Sequence, residues 1–175
     1  ATFERFNPSG VMELTATPNT EKVPSNVLHS VGAAELKTAQ MIKLPVLLEA
    51  EPDWQQCLGD AIARRDELQK LANDEHRNGA PYLRPLVLIQ SEPRRQGMET
   101  LDAERVKKEL AENQRIPPDE IVVATGEERG LEAIDAKYPL GIADQVHPVT
   151  FVITQKALAE GRDCPFAYIR VGLSA

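Results

Sequence analysis

Short, unbroken apolar runs are the feature that most constrains the fold of this chain. Several have the length of a strand, and none alternates cleanly between apolar and polar residues. A strand with one solvated face alternates, whereas strands buried on both faces of a parallel sheet do not. The runs therefore predict strands of a mostly parallel, buried sheet. They are PVLLEA (45–50), PLVLIQS (85–91), EIVVAT (120–125) and VTFVIT (149–154), with FAYIRV (166–171) as a fifth strand and VMELTA (11–16) as an earlier one.

Helical patterns lie between these runs. Residues 53–79 are predicted as a helix with Asp53 as its N-cap, because apolar residues recur on one face after it. Residues 100–113 repeat this pattern, with Glu104 and Lys108 spaced four apart as an exposed ion pair. Strand, helix and strand in succession are typical of the βαβ units of parallel α/β domains. The sequence therefore predicts an α/β fold.

Composition excludes several classes of protein. Two cysteines and three widely separated histidines provide neither a disulfide framework nor a four-ligand zinc site, and a reducing cytosol suits them. No apolar run is long enough to span a membrane, and the first ten residues lack a signal peptide. We therefore expect a cytoplasmic protein with no membrane partner.

The net charge of −7 bears on nucleic-acid binding. Strong, unassisted binding to a phosphate backbone depends on Lys and Arg side chains that release counterions. If nucleic acid binds this chain, a partner surface is expected to supply most of the positive charge. The pair Arg94-Arg95, followed by Gly97, suits either a phosphate-contacting loop or a solvated one.

Three of the predicted strands end in hydroxyl, amide or glycine residues. Ligands of open α/β sheets collect at the carboxyl ends of the strands, and groups of this kind donate to phosphate oxygens. Ser, Thr and Gly are also common at turns for structural reasons, so the spacing alone leaves both interpretations open. These strand ends are Gln90-Ser91, Thr125-Gly126 and Thr154-Gln155.

The residues that follow the third strand end suit a nucleotide. Gly161 allows the backbone to approach a ligand closely, and Asp163 can accept hydrogen bonds from ribose hydroxyls. Glu160 is compatible with the same site or with a solvated charge. Lys156 could contact nucleic acid or cover the edge of the sheet.

Four segments resemble motifs of superfamily 2 helicases, in the order in which the motifs occur there. HPVTFVITQKALAEGRDCPFAY (147–168) resembles the fifth motif, in the version found in restriction subunits of type III restriction–modification enzymes and their DEAD/DEAH relatives. RPLVLIQSE (84–92) resembles the fourth motif, and IPPDEIVVATGEE (116–128) resembles the strand and Thr-Gly loop between the two. LTATP (14–18) resembles the third motif. Arg162 stands where the family usually has tryptophan, which puts the packing role of that side chain in doubt.

The resemblance implies a RecA-like three-layer α/β domain with a mostly parallel sheet, truncated and preceded by a remnant of the first motor domain. Residues 1–31 would be the tail of the first RecA-like domain with its linker. Residues 32–175 would be the second RecA-like helicase domain without its C-terminal part. The segment 22–44 is expected to be a hinge that contains a short helix.

In such a motor, ATP and Mg²⁺ lie between two RecA-like lobes, and strand ends of both lobes hold the nucleic acid. The resemblance implies that Glu160, Gly161 and Asp163 face the nucleotide. The implied nucleic-acid contacts are Gln90, Ser91, Thr125, Gly126, Thr154 and Lys156. Thr15 and Thr17 would couple the two sites. The implied partners are DNA, the first RecA-like domain of the same polypeptide and a modification (methyltransferase) subunit.

Parts of the motor are absent from the sequence. No G-x-x-x-x-G-K-[ST] loop occurs, so the usual cradle and lysine for the β- and γ-phosphates are missing. The sixth motif, whose arginines stabilise the transition state, would follow the last residues, and no nuclease centre is identifiable. We therefore expect no complete catalytic set in this chain and no useful ATP hydrolysis by it alone. ATP and Mg²⁺ are expected as cofactors of the parent protein, not as tightly bound ligands of this chain.

Two other interpretations remain open. A stand-alone α/β module that binds a nucleotide or a protein without turnover would also lack the phosphate cradle. A small-molecule enzyme of flavodoxin-like or Rossmann type has less support, because no dinucleotide fingerprint or catalytic set occurs.

Overall fold

The computed structural model describes residues 9–12, 14–15, 18, 26–39, 41, 46–95, 97–125, 130–155 and 166–173. The chain separates into two compact units, Ala1–Leu48 and Glu49–Ala175. The motor-domain boundary predicted between residues 31 and 32 stays a prediction.

The first unit contains one helix among its described residues, α1 (Ala33–Thr38). This helix lies in the segment predicted as a hinge with a short helix. The strand predicted at 11–16 is wrong for the described residues of that run, which have no regular structure. Its apolar side chains Val11, Met12 and Leu14 are exposed.

The strand predicted at 45–50 is also wrong. Residues 46–50 have no regular structure, and the side chains of Val46, Leu47 and Leu48 are exposed. An apolar run becomes a strand only where its backbone N–H and C=O groups pair with a neighbouring strand. These residues pair with no strand of the described part of the chain.

The second unit contains helices and strands in alternation. The predicted strands at 85–91, 120–125, 149–154 and 166–171 are confirmed, whereas the helix α4 was not predicted. The elements in chain order are α2 (Trp54–Arg77), β1 (Leu86–Gln90), α3 (Ala103–Lys108) with a π-helical continuation (Glu109–Asn113), β2 (Ile121–Ala124), α4 (Gly130–Lys137), β3 (Phe151–Thr154) and β4 (Ala167–Gly172). Short 3₁₀ turns occupy Pro118–Glu120 and Gly141–Ala143.

The four strands form one sheet in the order β2-β3-β1-β4, and every neighbouring pair is parallel. The predicted α/β fold with a mostly parallel sheet is therefore confirmed. The finer identification of this fold as RecA-like stays a prediction. Among the described residues, no helix is both long enough and apolar enough to cross a membrane.

Helices cover both faces of the sheet, which gives three layers. On the face that we call the α2 face, α2 and α3 pack against Val87, Ile89 and Phe151. On the opposite face, which we call the α4 face, α4 packs against Val122 and Val152. Successive residues of a strand point to opposite faces, so the continuous apolar runs of the sequence supply both cores.

The ends of α2 and α3 follow from their capping residues. Asp53 caps α2, as predicted, and its carboxylate accepts from the backbone N–H groups of Gln55 (2.9 Å) and Gln56 (3.3 Å). Asp102 caps α3 in the same way through the N–H of Arg105 (2.9 Å). Gly79, with a φ of 95°, follows the end of α2 in the left-handed conformation that suits glycine.

The ion pair predicted between Glu104 and Lys108 is wrong. Glu104 instead accepts from Arg94, in the loop before the helix, at 3.1 Å. Lys108 lies 3.8 Å from Glu112, one turn further along. All of these side chains are largely exposed, so the choice among such partners changes the free energy little.

Gly130 lets α4 begin directly against β2. A Cβ atom at this position would lie 2.4 Å from the carbonyl oxygen of Val123 and 2.5 Å from a methyl carbon of Val122. Backbone cannot move away as easily as a flexible side chain, so any larger residue would push the helix off the sheet. Gly59, inside α2, differs because a Cβ there would meet no atom within 4 Å.

We expect Gly130→Ala to lower the free energy of unfolding by about 1–3 kcal/mol, because overpacking displaces α4. Gly59→Ala is the matched control and should raise it by about 0.5–1 kcal/mol, since alanine favours a helix interior. Urea unfolding followed by circular dichroism measures both changes. Equal stability of Gly130→Ala and the wild type would show that α4 does not depend on this close approach.

Candidate functional site

The carboxyl ends of the four strands form one edge of the sheet, which we call the carboxyl edge. Ala124, Thr154, Gln90 and Gly172 are aligned across it by the strand pairing. Of the predicted nucleic-acid contacts, Gln90, Ser91, Thr125 and Thr154 therefore lie at this edge. The pairing brings Gln90, Ser91 and Thr154 close together. Thr125 directly follows the end of β2.

The strand order favours a ligand-binding crevice at the carboxyl ends of β1 and β3. From β1 the chain proceeds to β2, which lies beyond β3, and from β3 it proceeds to β4, which lies beyond β1, so the two connections run in opposite directions. In open α/β sheets, ligands bind at the carboxyl ends of the strands, at a point where the strand order reverses. Gln90 and Thr154 are the paired terminal residues of these two strands. The topology thus singles out the point at which the predicted side chains meet.

Ser91 joins the two central strand ends. Its backbone N–H donates to the carbonyl oxygen of Thr154 at 2.8 Å, and its hydroxyl donates to the same oxygen at 3.3 Å. The Ser91 side chain is buried. The sequence predicts a contact between this hydroxyl and a phosphate. To donate to a phosphate, the Ser91 hydroxyl would have to rotate and give up its hydrogen bond to the Thr154 carbonyl oxygen.

Gln90 is half-buried and lies on the α4 face. Leu88, two residues earlier on the same strand, packs in the cluster around α4, so the Gln90 side chain projects from the same face. The side-chain oxygen of Gln90 accepts from the guanidinium of Arg170, on β4, at 2.7 Å. Arg170 was missed by the sequence predictions, since nothing in the sequence indicated that β4 lies beside β1.

Six of the predicted site residues lie outside the described residues, and their roles stay predictions. They are Thr17, Gly126, Lys156, Glu160, Gly161 and Asp163. Thr15 is described and belongs to the first unit, where it lies outside any helix or strand. Its predicted coupling role is likewise untested.

Arg94, in the loop from β1 to α3, and Arg105, on α3, are already paired. Arg94 lies 3.1 Å from Glu104 and 3.8 Å from Asp102. Arg105 contacts Glu99 at 2.8 Å, and its guanidinium lies 5.4 Å from the centre of the Trp54 ring. These carboxylates compensate the positive charges of Arg94 and Arg105, so a phosphate would have to compete with them for these two side chains.

The N-termini of α2 and α3 are also occupied. The N–H groups that begin α2 and α3 donate to the carboxylates of Asp53 and Asp102. A free helix N-terminus binds anions, but a capping carboxylate uses the donors and adds a negative charge. The positive ends of α2 and α3 are therefore not open to a phosphate group.

A buried carboxylate links α2 to α3. Glu109, at the start of the π-helical turn, is 6% exposed and accepts from the side-chain amides of Gln55 (3.0 Å) and Asn113 (2.7 Å). Two amide donors satisfy this oxygen without a cation. The arrangement fixes the two helices to each other, and no positive group takes part in it.

The opposite, amino edge of the sheet contains a buried polar cluster around Arg84. The Arg84 side chain, just before β1, is 5% exposed, and its guanidinium donates to the backbone carbonyls of Ile142 (2.6 Å), Asp144 (3.3 Å) and His147. Burial lowers the pKa of Arg84. Because backbone carbonyls surround the guanidinium, the cluster serves to hold the segment before β3 against β1.

His147 belongs to the same cluster. Its Nδ1 accepts from the N–H of Val149 at 3.0 Å, and its ring packs edge-on against Tyr138 with 4.5 Å between the ring centres. Burial is the largest cause that lowers the pKa of His147, followed by the charges of Arg84 and Lys137, while Asp144 opposes them. Protonation would also remove the acceptor that Val149 uses.

This cluster predicts a dependence of stability on pH. The pKa of His147 is lower in the folded chain than the ordinary value of about 6.5, so the unfolded chain binds the proton more readily. The stabilisation is complete above about pH 6.5 and is lost as the pH falls towards the folded pKa. One proton gives a slope of at most about 1.4 kcal/mol per pH unit.

Urea unfolding between about pH 5.5 and 7.5 measures this slope. His147→Asn keeps an acceptor two residues before Val149 and removes the titrating group, so we expect a flatter profile. His76→Asn is the control, since His76 is exposed and its ring contacts the carbonyl oxygen of Ala80 instead. A profile that is as steep in His147→Asn as in the wild type would contradict this assignment.

Comparisons with known proteins do not identify the chain: no family model, curated protein or solved structure matches it. The described part of the chain also contains no group of three or more His, Cys, Asp or Glu side chains that could hold a metal ion. Function must therefore be inferred from the residues at the carboxyl edge and from the sequence motifs.

Proposed function

We propose that this chain is part of an ATP-dependent DNA helicase or translocase, from the restriction subunit of a type III restriction enzyme, and that it acts in the cytoplasm. In this proposal the chain forms the second RecA-like lobe and contributes contacts to the nucleic-acid backbone and to the nucleotide. One observation carries the proposal most directly. The donor-bearing strand ends Gln90 and Thr154 are paired at the point where the connections of β1 and β3 run in opposite directions.

The chemistry of this edge suits a phosphate backbone. Backbone contacts in nucleic-acid complexes come largely from amide, hydroxyl and guanidinium donors, and they carry no base specificity. Gln90 and Arg170 provide an amide and a guanidinium on the same face of the sheet. A translocase needs contacts of this kind, because it must hold every sequence along which it moves.

The net charge of −7 makes a second surface part of the proposal. A phosphate backbone is held strongly only where several positive groups replace its counterions. In the proposed motor the first RecA-like lobe of the same polypeptide supplies those groups, and the DNA lies across both lobes.

The nucleotide-facing role rests on the resemblance of residues 147–168 to the fifth helicase motif. Glu160, Gly161 and Asp163 would face ATP from the second lobe. The sequence has no G-x-x-x-x-G-K-[ST] loop, so in this proposal the other lobe holds the β- and γ-phosphates and Mg²⁺. The chain by itself would not complete the ATPase site.

The proposal predicts DNA-stimulated ATPase activity in the full-length polypeptide. Asp163→Ala should lower kcat/KM for ATP by about tenfold to a hundredfold, because a hydrogen bond to a charged group contributes about 1.5–3 kcal/mol. Asp74→Ala is the control, because Asp74 is exposed on α2 and its carboxylate contacts Arg77, one turn further along the same helix. We expect the control to keep full activity in a steady-state phosphate-release assay.

Unchanged turnover in Asp163→Ala would remove the role assigned to that residue. The encoding gene gives a second test, since the motor requires a Gly-Lys-Ser/Thr loop upstream and an arginine-bearing helix downstream. A reading frame confined to these residues would favour a stand-alone α/β binding module over the motor.

A further inference from the structure

Arg170 stands next to the proposed backbone-binding position. It is exposed on β4, and its Cα pairs with that of Leu88, so its side chain projects from the α4 face. From there the guanidinium reaches along the sheet to the side-chain oxygen of Gln90, with 2.7 Å between Nη2 and Oε1. Gln90 in turn is paired with Thr154. The three residues occupy three neighbouring strands on one face of the sheet.

This contact fixes which group Gln90 can offer to a ligand. A guanidinium has only N–H donors, so it can be satisfied only by the amide oxygen. The amide NH₂ of Gln90 must then point away from Arg170. A glutamine with no such neighbour can rotate its amide and present either an acceptor or a donor. Beside Arg170, it presents donors only.

The charge of Arg170 is also uncompensated within the described part of the chain. Its guanidinium forms no ion pair there, whereas Arg94 and Arg105 both contact carboxylates. Its hydrogen bond to the neutral amide of Gln90 leaves the positive charge and the remaining N–H groups for another acceptor. In a chain with a net charge of −7, this is a specific place for an anion.

We propose that Arg170 is a positioning and phosphate-binding residue: it holds the Gln90 amide as a donor and adds a guanidinium for the same nucleic-acid backbone. The inference rests on the proposed function, because that function supplies the polyanion. It names the ligand chemistry of the α4 face at the carboxyl edge as phosphate oxygens, which only accept hydrogen bonds.

The contact between Arg170 and Gln90 is not needed to build the sheet. β4 is already joined to β1 by parallel backbone pairing along five residues of each strand. The contact between the two side chains is exposed, and exposed polar contacts contribute little to stability. Substitutions at these positions are therefore expected to alter binding and leave folding intact.

The experiment measures binding of a fluorescein-labelled oligothymidylate to the full-length polypeptide by anisotropy, without nucleotide, over a range of salt concentrations. Arg170→Gln should weaken binding by about fivefold to tenfold at low salt and reduce the slope of log K against log salt by about one. Arg170→Lys keeps the charge and a donor, so it should restore most of the affinity. A residue with only a structural role would not change the salt slope.

Two further variants separate positioning from charge. Gln90→Glu can still contact Arg170, but its carboxylate presents no donor and cancels the positive charge of Arg170. We therefore expect this variant to bind the oligothymidylate at least as weakly as Arg170→Gln. It should melt at the wild-type temperature. Arg94→Gln is the matched control, because Arg94 is an exposed arginine whose charge Asp102 and Glu104 already compensate. We expect its affinity to stay within about twofold of the wild type.

The possible results distinguish this inference from the proposed function. Wild-type polypeptide that does not bind the oligothymidylate at low salt would overturn the proposed function, and the inference with it. Wild-type binding that Arg170→Gln and Gln90→Glu both leave unchanged would overturn the inference alone. If Arg170→Gln melts at a lower temperature than the wild type, its weaker binding could come from unfolding, and Gln90→Glu becomes the test. Wild-type affinity in a natively folded Gln90→Glu variant would also overturn the inference.

Discussion

The parallel pairing of β1 with β3 is the interaction on which the rest of the structure depends. It aligns Gln90 with Thr154 and places the ends of both strands at one edge. Because the connections of the two strands run in opposite directions, the same pairing locates the point of reversed strand order at which open α/β sheets bind ligands. The core then follows, since α2 and α3 cover one face of these strands and α4 covers the other.

The arginines at the two edges of the sheet have opposite environments. At the amino edge, Arg84 is buried, and backbone carbonyls accept from both of its Nη atoms, while its buried Nε has no partner among the described residues. At the carboxyl edge, Arg170 is exposed and contacts only a neutral amide among the described residues. A buried guanidinium bound by backbone carbonyls fixes a fold, and an exposed one with remaining donors can bind an anion. This difference supports an assignment of function to the carboxyl edge.

The sequence correctly predicted the elements that depend on nearby residues. Predictions that depend on which strands become neighbours in the sheet were wrong or were not made. The apolar runs at 85–91, 120–125, 149–154 and 166–171 are strands, and Asp53 caps its helix, because burial and capping are encoded nearby. The equally apolar run at 45–50 is not a strand, since pairing requires a neighbour that periodicity cannot specify. α4 begins at a glycine and is short, which gives a weak helical pattern. The contact of Gln90 with Arg170 depends on strand order, which no local pattern contains.

The measurement that tests this account most directly is photo-crosslinking of the full-length polypeptide to an oligonucleotide with photoreactive bases, followed by peptide mapping. We expect crosslinks in peptides that contain the carboxyl-edge residues Gln90, Thr154 or Arg170. Crosslinks confined to the amino edge, around Arg84 and His147, would contradict it, because they would show that the strand ends do not hold the nucleic acid.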